Sequence, residues 1–440
     1  MNIEDLIIYQ MALRTFTPEG TLNAAKARLP YVASLGVDVV YLCALCEAEN
    51  DPDTSTWSER QIGCQAGNPK NPYKARDYFH VDEEYGTDDD LKAFIQEAHS
   101  LGLMVFLDMV FLHCGRSAVF IDEHPDFVER NPDGSTLVGE QWPFARLNFQ
   151  NPELRAYLTS VMAYYITDFE VDGFRCDVAD RVPLFFWEEA FEELRRIKPD
   201  LLTYNEGKEP SYLEKAFDLC YSRLWRNEFR ALFRGAGGVN SFREYCLFER
   251  QLYGDKVKRC TRCVDNHDQA NDVGLLRNEI VMTGRGVDAA LVVMNTYDGV
   301  PFLWNGVEFA DQAENCMFSN RFYGKRSAMD WSYAFTQKGI ERMQLVKDLH
   351  ALHHNEPCIT RAFAQWVDND HPDDVISYKK EYEGEVLTVI VNGKNEELCV
   401  KVDTELQTGG VCMSYGAKIG GNEVHLKPYG YVITKHKSKR

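Results

Sequence analysis

The chain has 440 residues, 45% of them hydrophobic, and a formal charge of -20 at pH 7. This length allows one large domain with a smaller companion. The acidic balance excludes nucleic acid and anionic membrane surfaces as partners, since both demand basic patches; a neutral ligand such as a sugar is compatible with it.

Through the first ~350 residues, short apolar runs alternate with longer amphipathic segments. Residues 6–13 predict a strand, 21–35 a helix and 37–45 a β-branched strand. Residues 88–101 predict a helix with acidic residues in its first turn, and 103–110 a buried strand. A helix over 151–169 has Pro152 at its first position. Strands at 173–177, 201–206, 218–221, 262–267 and 301–306 follow, with a helix at 183–197. Eight strands interleaved with helices imply an α/β fold with a closed eight-stranded parallel barrel.

Residues 114–150, rich in Pro, Asp, Gly and Asn, separate the third strand from its helix as an inserted subdomain. A second long loop, 47–78, follows the second strand. The barrel is expected over 1–113 and 151–356. From 357 the texture becomes all-β, with strands at 375–380, 386–391, 398–402 and 430–434 and a turn signal at Asn392-Gly393, so 357–440 is expected to be a β-sandwich domain. The basic run 435–440 reads as a solvated tail.

The N-terminus has no basic stretch leading into an apolar one, so no signal peptide is expected. No window holds the ~18 apolar residues that span a bilayer. Thirteen scattered cysteines suit reduced thiols in a cytoplasmic enzyme. Cys43-x-x-Cys46 and Cys260-x-x-Cys263 have the spacing of zinc ligands. The strand order separates them, and they are read as small apolar residues of the strands.

In a parallel barrel, chemistry sits at the carboxyl ends of the strands. Here those ends carry Asp108 and His113, then Arg175 and Asp177, then Glu206, then His267 and Asp268. Strand alternation points Arg175 and Asp177 the same way. A guanidinium beside Asp177 is expected to lower its pKa and orient it. Retaining glycosidases need two carboxyls roughly 5–5.5 Å apart, and Asp177 and Glu206 on adjacent strands suit that need. A third carboxylate, Asp268, would keep Glu206 protonated. His113 and His267 can donate hydrogen bonds to sugar hydroxyls.

Four motifs in order carry a resemblance: Asp108-x-Val110-x-x-His113, Gly173-Phe174-Arg175-x-Asp177, Glu206 after an apolar strand, and Asn266-His267-Asp268. The sequence resembles the α-amylase family of retaining glycoside hydrolases. Further matches are the run Asn71 to Tyr78, with Tyr73 four residues before Asp77, then Tyr85-Gly86-Thr87, Leu147-Asn148-Phe149, Asn151-Pro152-Glu153, Gly306-Val307-Glu308, and Arg326 with Met329 and Trp331. The resemblance implies Asp177 as nucleophile, Glu206 as acid/base and Asp268 as transition-state stabiliser. It implies that His113, Arg175 and His267 grip the sugar and that Tyr73 is the aromatic platform beneath it. Asp77 and Asp108 are expected to be structural at the barrel mouth, Asp108 as a partner of Arg175.

Two departures bear on metal and acceptor. Leu112 stands where many family members have a calcium-ligating asparagine, and Asp180-Arg181 replace a common Lys-His pair. Calcium wants six to eight oxygen ligands, so none is expected at the usual interdomain site, and no other cofactor. The substrate expected is an α-glucan or oligosaccharide. A transglycosylase, phosphorylase or isomerase using the same residues, and a non-catalytic carbohydrate-binding relative, are the alternatives. Nothing in the sequence bears on oligomeric state.

Overall fold

The computed structural model describes residues 2–268, 276–324, 328–404, 406 and 410–438; Arg326 lies outside these. Eight parallel strands close into a barrel: β1 (Ile8–Met11), β2 (Val39–Leu42), β3 (Met104–Met109), β4 (Gly173–Cys176), β5 (Leu202–Asn205), β6 (Leu219–Tyr221), β7 (Cys260–Arg262) and β8 (Val300–Trp304). Closure is made by β1, whose Ile8 pairs with Val39 of β2 on one side and Phe302 of β8 on the other. Side chains on both faces are buried, one face inside the barrel and one under helices, which explains the continuous apolar runs. Tyr41, Tyr204 and Phe302 meet inside the barrel, their rings 6.2–6.4 Å apart, and form an aromatic layer below the mouth.

The strands are those expected, trimmed by one to a few residues. The largest shift is at β7, which ends at Arg262, so 263–268 run on as an irregular segment at the mouth. Gly173 opens β4 because nothing larger fits: a Cβ there would meet the Leu202 carbonyl at 2.5 Å and the Phe106 ring at 2.6 Å.

The helix at Asp88–Ser100 is started by a capping box between Thr87 and Asp90. That at Pro152–Phe169 is capped by Asn151. The helix expected over 21–35 is instead two, Leu22–Lys26 and Leu29–Ala33. Pro30 lacks the N–H that would bond to residue 26 and its ring would clash with that carbonyl. The loop expected over 47–78 is largely a hairpin, in which Cys46–Asn50 pairs with Lys70–Val81. The inserted segment is held by a short pair, His113–Cys114 with Ala145–Arg146.

The C-terminal strands are β9 (Gln365–Trp366), β10 (Val375–Tyr382), β11 (Glu385–Asn392), β12 (Leu398–Lys401), β13 (Val411–Gly420) and β14 (Glu423–Lys437), all antiparallel. The β10–β11 hairpin turns on Glu383 and Gly384, both at positive φ, as a two-residue turn requires; Asn392-Gly393 instead ends β11. The long β14 pairs with β11, β12 and β13, so one sheet folds over its own core of Val367, Val375, Ile390, Val400 and Val424. The sheet docks on the barrel through Tyr378, whose hydroxyl lies 2.6 Å from Thr296 Oγ1, and through a buried Lys380–Asp298 pair at 3.0 Å.

Candidate active site

Each sequence-selected strand end opens on the same face of the barrel. Asp177 is the first residue past β4 and Glu206 the first past β5. Asp177, Glu206, Asp268, His113, His267 and Tyr73 line one cleft of about 610 Å³. Arg175 is fully buried beneath it. Its Nη1 donates to Asp108 Oδ1 at 2.6 Å and Asp177 Oδ1 at 2.9 Å, and its Nη2 lies 2.7 Å from Glu206 Oε2. Arg175, expected to grip the sugar, is thus committed to three carboxylates and sets their positions. Its guanidinium also sits over Tyr41 of the aromatic layer and over Tyr221, at 5.8 and 5.4 Å.

Asp108 is the structural partner expected of it. Besides Arg175 it accepts from Tyr41 Oη at 2.7 Å and Tyr73 Oη at 3.2 Å. Tyr73 in turn stacks on His267, with ring centroids 5.7 Å apart and planes within 12°. Asp77 does not join this group. It lies in the hairpin strand Lys70–Val81 and accepts from the Phe79 N–H at 2.9 Å, away from the cleft lining.

Val178, directly after Asp177, has φ 43° and ψ 40°, the left-handed region that β-branched side chains avoid. That conformation aims its N–H at Glu206 Oε2, 3.0 Å away. Strain held next to reacting groups is a common signature of functional sites.

Burial pushes the Asp177 carboxyl well above the usual range; Arg175 opposes this, and the charges of Glu206, Asp108 and Asp268 add to the rise. The guanidinium therefore lowers the Asp177 pKa, as expected, but the net direction is upward. Asp268 goes the other way. Burial would raise it, yet His267, Arg60, Arg226 and Arg175 together hold it well below the ordinary value. Arg60 Nη1 donates to Asp268 Oδ1 at 2.8 Å. The surroundings of Asp177 and Asp268 thus push the two carboxyls in opposite directions.

Burial brings both cleft histidines down to about 4, so they are neutral at neutral pH. His113 packs edge-on to Phe144 at 4.8 Å, and its Nδ1 has no hydrogen-bond partner among the described residues. His267 is fixed by Gln10 on β1. The His267 backbone N–H donates to Gln10 Oε1 at 3.2 Å, which turns Gln10 Nε2 toward His267 Nδ1 at 2.6 Å. An amide N–H₂ only donates, so Nδ1 accepts and the ring proton is on Nε2. His267 Nε2, 3.5 Å from Asp268 Oδ1, is thus a donor on the Asp268 side of the ring.

Sequence reasoning missed Gln10, Arg60 and the Glu206–Arg175 contact. Gln10 had a signal: an amide inside an otherwise apolar strand must find partners when buried. Arg60 had none, since it reaches the site from the short helix Glu59–Gly63, 208 residues from Asp268. The zinc reading of the two cysteine pairs is not supported. Cys43 lies against Gln10, Cys46 against Tyr78 and Tyr165, and Cys260 faces Cys220 across β6 and β7 at 3.4 Å.

The family model described as alpha amylase, catalytic domain, matches residues 8–133. The alpha-amylase MalA of Haloarcula japonica is 27% identical, over 90% of this chain and 56% of that protein. The cyclomaltodextrinase of Geobacillus thermopakistaniensis is 24% identical, over 94% of this chain and 70% of its own length. This chain therefore spans little more than half of the Haloarcula protein. Among solved structures, an alpha-amylase from Lactobacillus plantarum superposes with a TM-score of 0.80 at 22% identity, covering 99% of both chains. With the catalytic-domain match, relatives along nearly the whole chain and the barrel that carries the four motifs, the chain is similar to members of the α-amylase family.

Proposed function

We propose that this chain hydrolyses α-glucosidic bonds of α-glucans or oligosaccharides through a covalent glycosyl-enzyme. One observation carries the reading: Arg175 holds both Asp177 and Glu206 in a cleft that Asp268 also lines. Asp177 is the nucleophile. Its carboxylate attacks the anomeric carbon as Glu206 protonates the leaving oxygen, and Glu206 then takes a proton from the water that releases the sugar. Asp268, held anionic by Arg60, faces the positive charge that develops at the anomeric carbon. His267 Nε2–H and His113 hold hydroxyls, and Tyr73 offers a ring face to the sugar.

The substrate class rests on the cyclomaltodextrinase and amylase relatives. A cytoplasmic location is supported by the intracellular maltogenic amylase of Bacillus subtilis, 22% identical over 86% of this chain and 62% of its own length. Calcium is not part of the reading. The Leu112 side chain offers no oxygen, and Arg181, its guanidinium over the Trp142 ring at 5.4 Å and bonded to Gln141, carries a positive charge where the family commonly has a histidine.

The test is product identification after incubation with maltooligosaccharides, sucrose and trehalose, with and without phosphate. Shorter maltooligosaccharides formed without phosphate support hydrolysis. No turnover of any α-glucoside sinks the proposal, and an Asp177→Ala variant with undiminished activity sinks the nucleophile assignment.

A further inference from the structure

The face of the C-terminal sheet that points away from its core brings together a thiol, an imidazole and a carboxylate. On β12 and β14, Cys399 is directly opposite His425 and Lys401 opposite Glu423. Val400, Val424 and Leu426 point inward to the core, so the alternation of the strands sets Cys399, Glu423 and His425 together on the outer face. Cys399 Sγ lies 3.6 Å from His425 Nε2, and one ligand atom from each of the three residues lies within 4.8 Å of the others.

We propose that Cys399, His425 and Glu423 form a binding site for a divalent ion of the zinc class. The distances match the metal's requirements. With Zn–S of about 2.3 Å and Zn–N of about 2.0–2.1 Å at a tetrahedral angle, sulfur and nitrogen stand about 3.6 Å apart. A thiolate and an imidazole select zinc-class ions over calcium or magnesium. A thiolate and a carboxylate neutralise the ion's two charges, and exposure on the sheet leaves the fourth position to water. Lys401 Nζ lies 3.3 Å from Glu423 Oε1, which keeps that carboxylate on this face and leaves its second oxygen for the ion. Lys418, opposite His425 on β13, and Lys427, two residues further along β14, are further cations on this face. Binding releases the thiol proton, so affinity falls as pH falls. The ion would tie β12 to β14 across the sheet.

The experiment is a titration of the full, reduced chain with zinc chloride, followed by calorimetry and by thermal unfolding. We expect one ion bound at this site and a Tm that rises with zinc. Cys399→Ser and His425→Ala each weaken binding at least about tenfold and remove the Tm rise. Cys412→Ser, at the exposed thiol of β13, leaves both unchanged. Cobalt(II) gives a thiolate-to-metal absorption band that Cys399→Ser abolishes. A wild-type Tm indifferent to zinc, or zinc binding unchanged by Cys399→Ser, overturns the proposal. None of these measurements depends on glycosidase activity.

Discussion

Glu308, just past β8, is a carboxyl with no exposure to solvent. It accepts from Tyr9 Oη at 2.7 Å and from the Gly306 N–H at 2.7 Å. Burial raises its pKa from the ordinary 4.5 to about 7, against those two hydrogen bonds and the charge of Arg277. In the unfolded chain it ionises near 4.5, so between 4.5 and about 7 the folded state holds the extra proton. Stability therefore falls as pH rises through that window. At about 1.4 kcal/mol for each pH unit between the two values, the full loss above pH 7 is about 3 kcal/mol. Glu308→Gln removes it. The amide keeps an acceptor for the Gly306 N–H and can donate to Tyr9 Oη, so the packing survives. Urea unfolding at pH 5 and pH 8 reads the outcome: near-equal stability of the two proteins at pH 5, and a variant more stable by about 3 kcal/mol at pH 8. A variant less stable at pH 8, or a difference that does not change with pH, would refute the argument.

Arg175→Met strands three buried carboxylates. It should cost about 3–5 kcal/mol at neutral pH in denaturant unfolding. Gln10→Glu places an acceptor against His267 Nδ1 and moves the ring proton there. Nitrogen chemical shifts of the ring should report the change of tautomer, and kcat/KM should drop by about 10²-fold, the usual effect of losing one donor to the transition state. Metal analysis of purified protein should find no tightly held calcium; one equivalent at the Leu112–Arg181 region would overturn that expectation.

The barrel was legible because its strands are buried on both faces, so apolar runs such as 103–110 leave little ambiguity. The carboxylates were legible because they stand at the ends of those runs. What escaped depends on tertiary partners. The strand Lys70–Val81 mixes Lys70, Lys74, Arg76 and Asp77 with its apolar residues, and it exists because Cys46–Asn50 pairs with it. β13 is largely exposed, Val411 and Cys412 included, so it lacks the continuous burial that marks β11. The sign of the Asp177 shift escaped for a related reason. Strand alternation puts an arginine near Asp177, but only the fold brings three carboxylates onto it.

The pairing of Ile8 with both Val39 and Phe302 also sets a schedule for synthesis. A chain made from its N-terminus has β1 and β2 long before β8, so the sheet stays an open ribbon with two bare edges until residues 300–304 have left the ribosome. Bare edges of apolar strands invite pairing with other chains. Translation pauses or truncations before residue 300 should therefore yield aggregates rather than partly active enzyme, although Asp177, Glu206 and Asp268 have all been made by then.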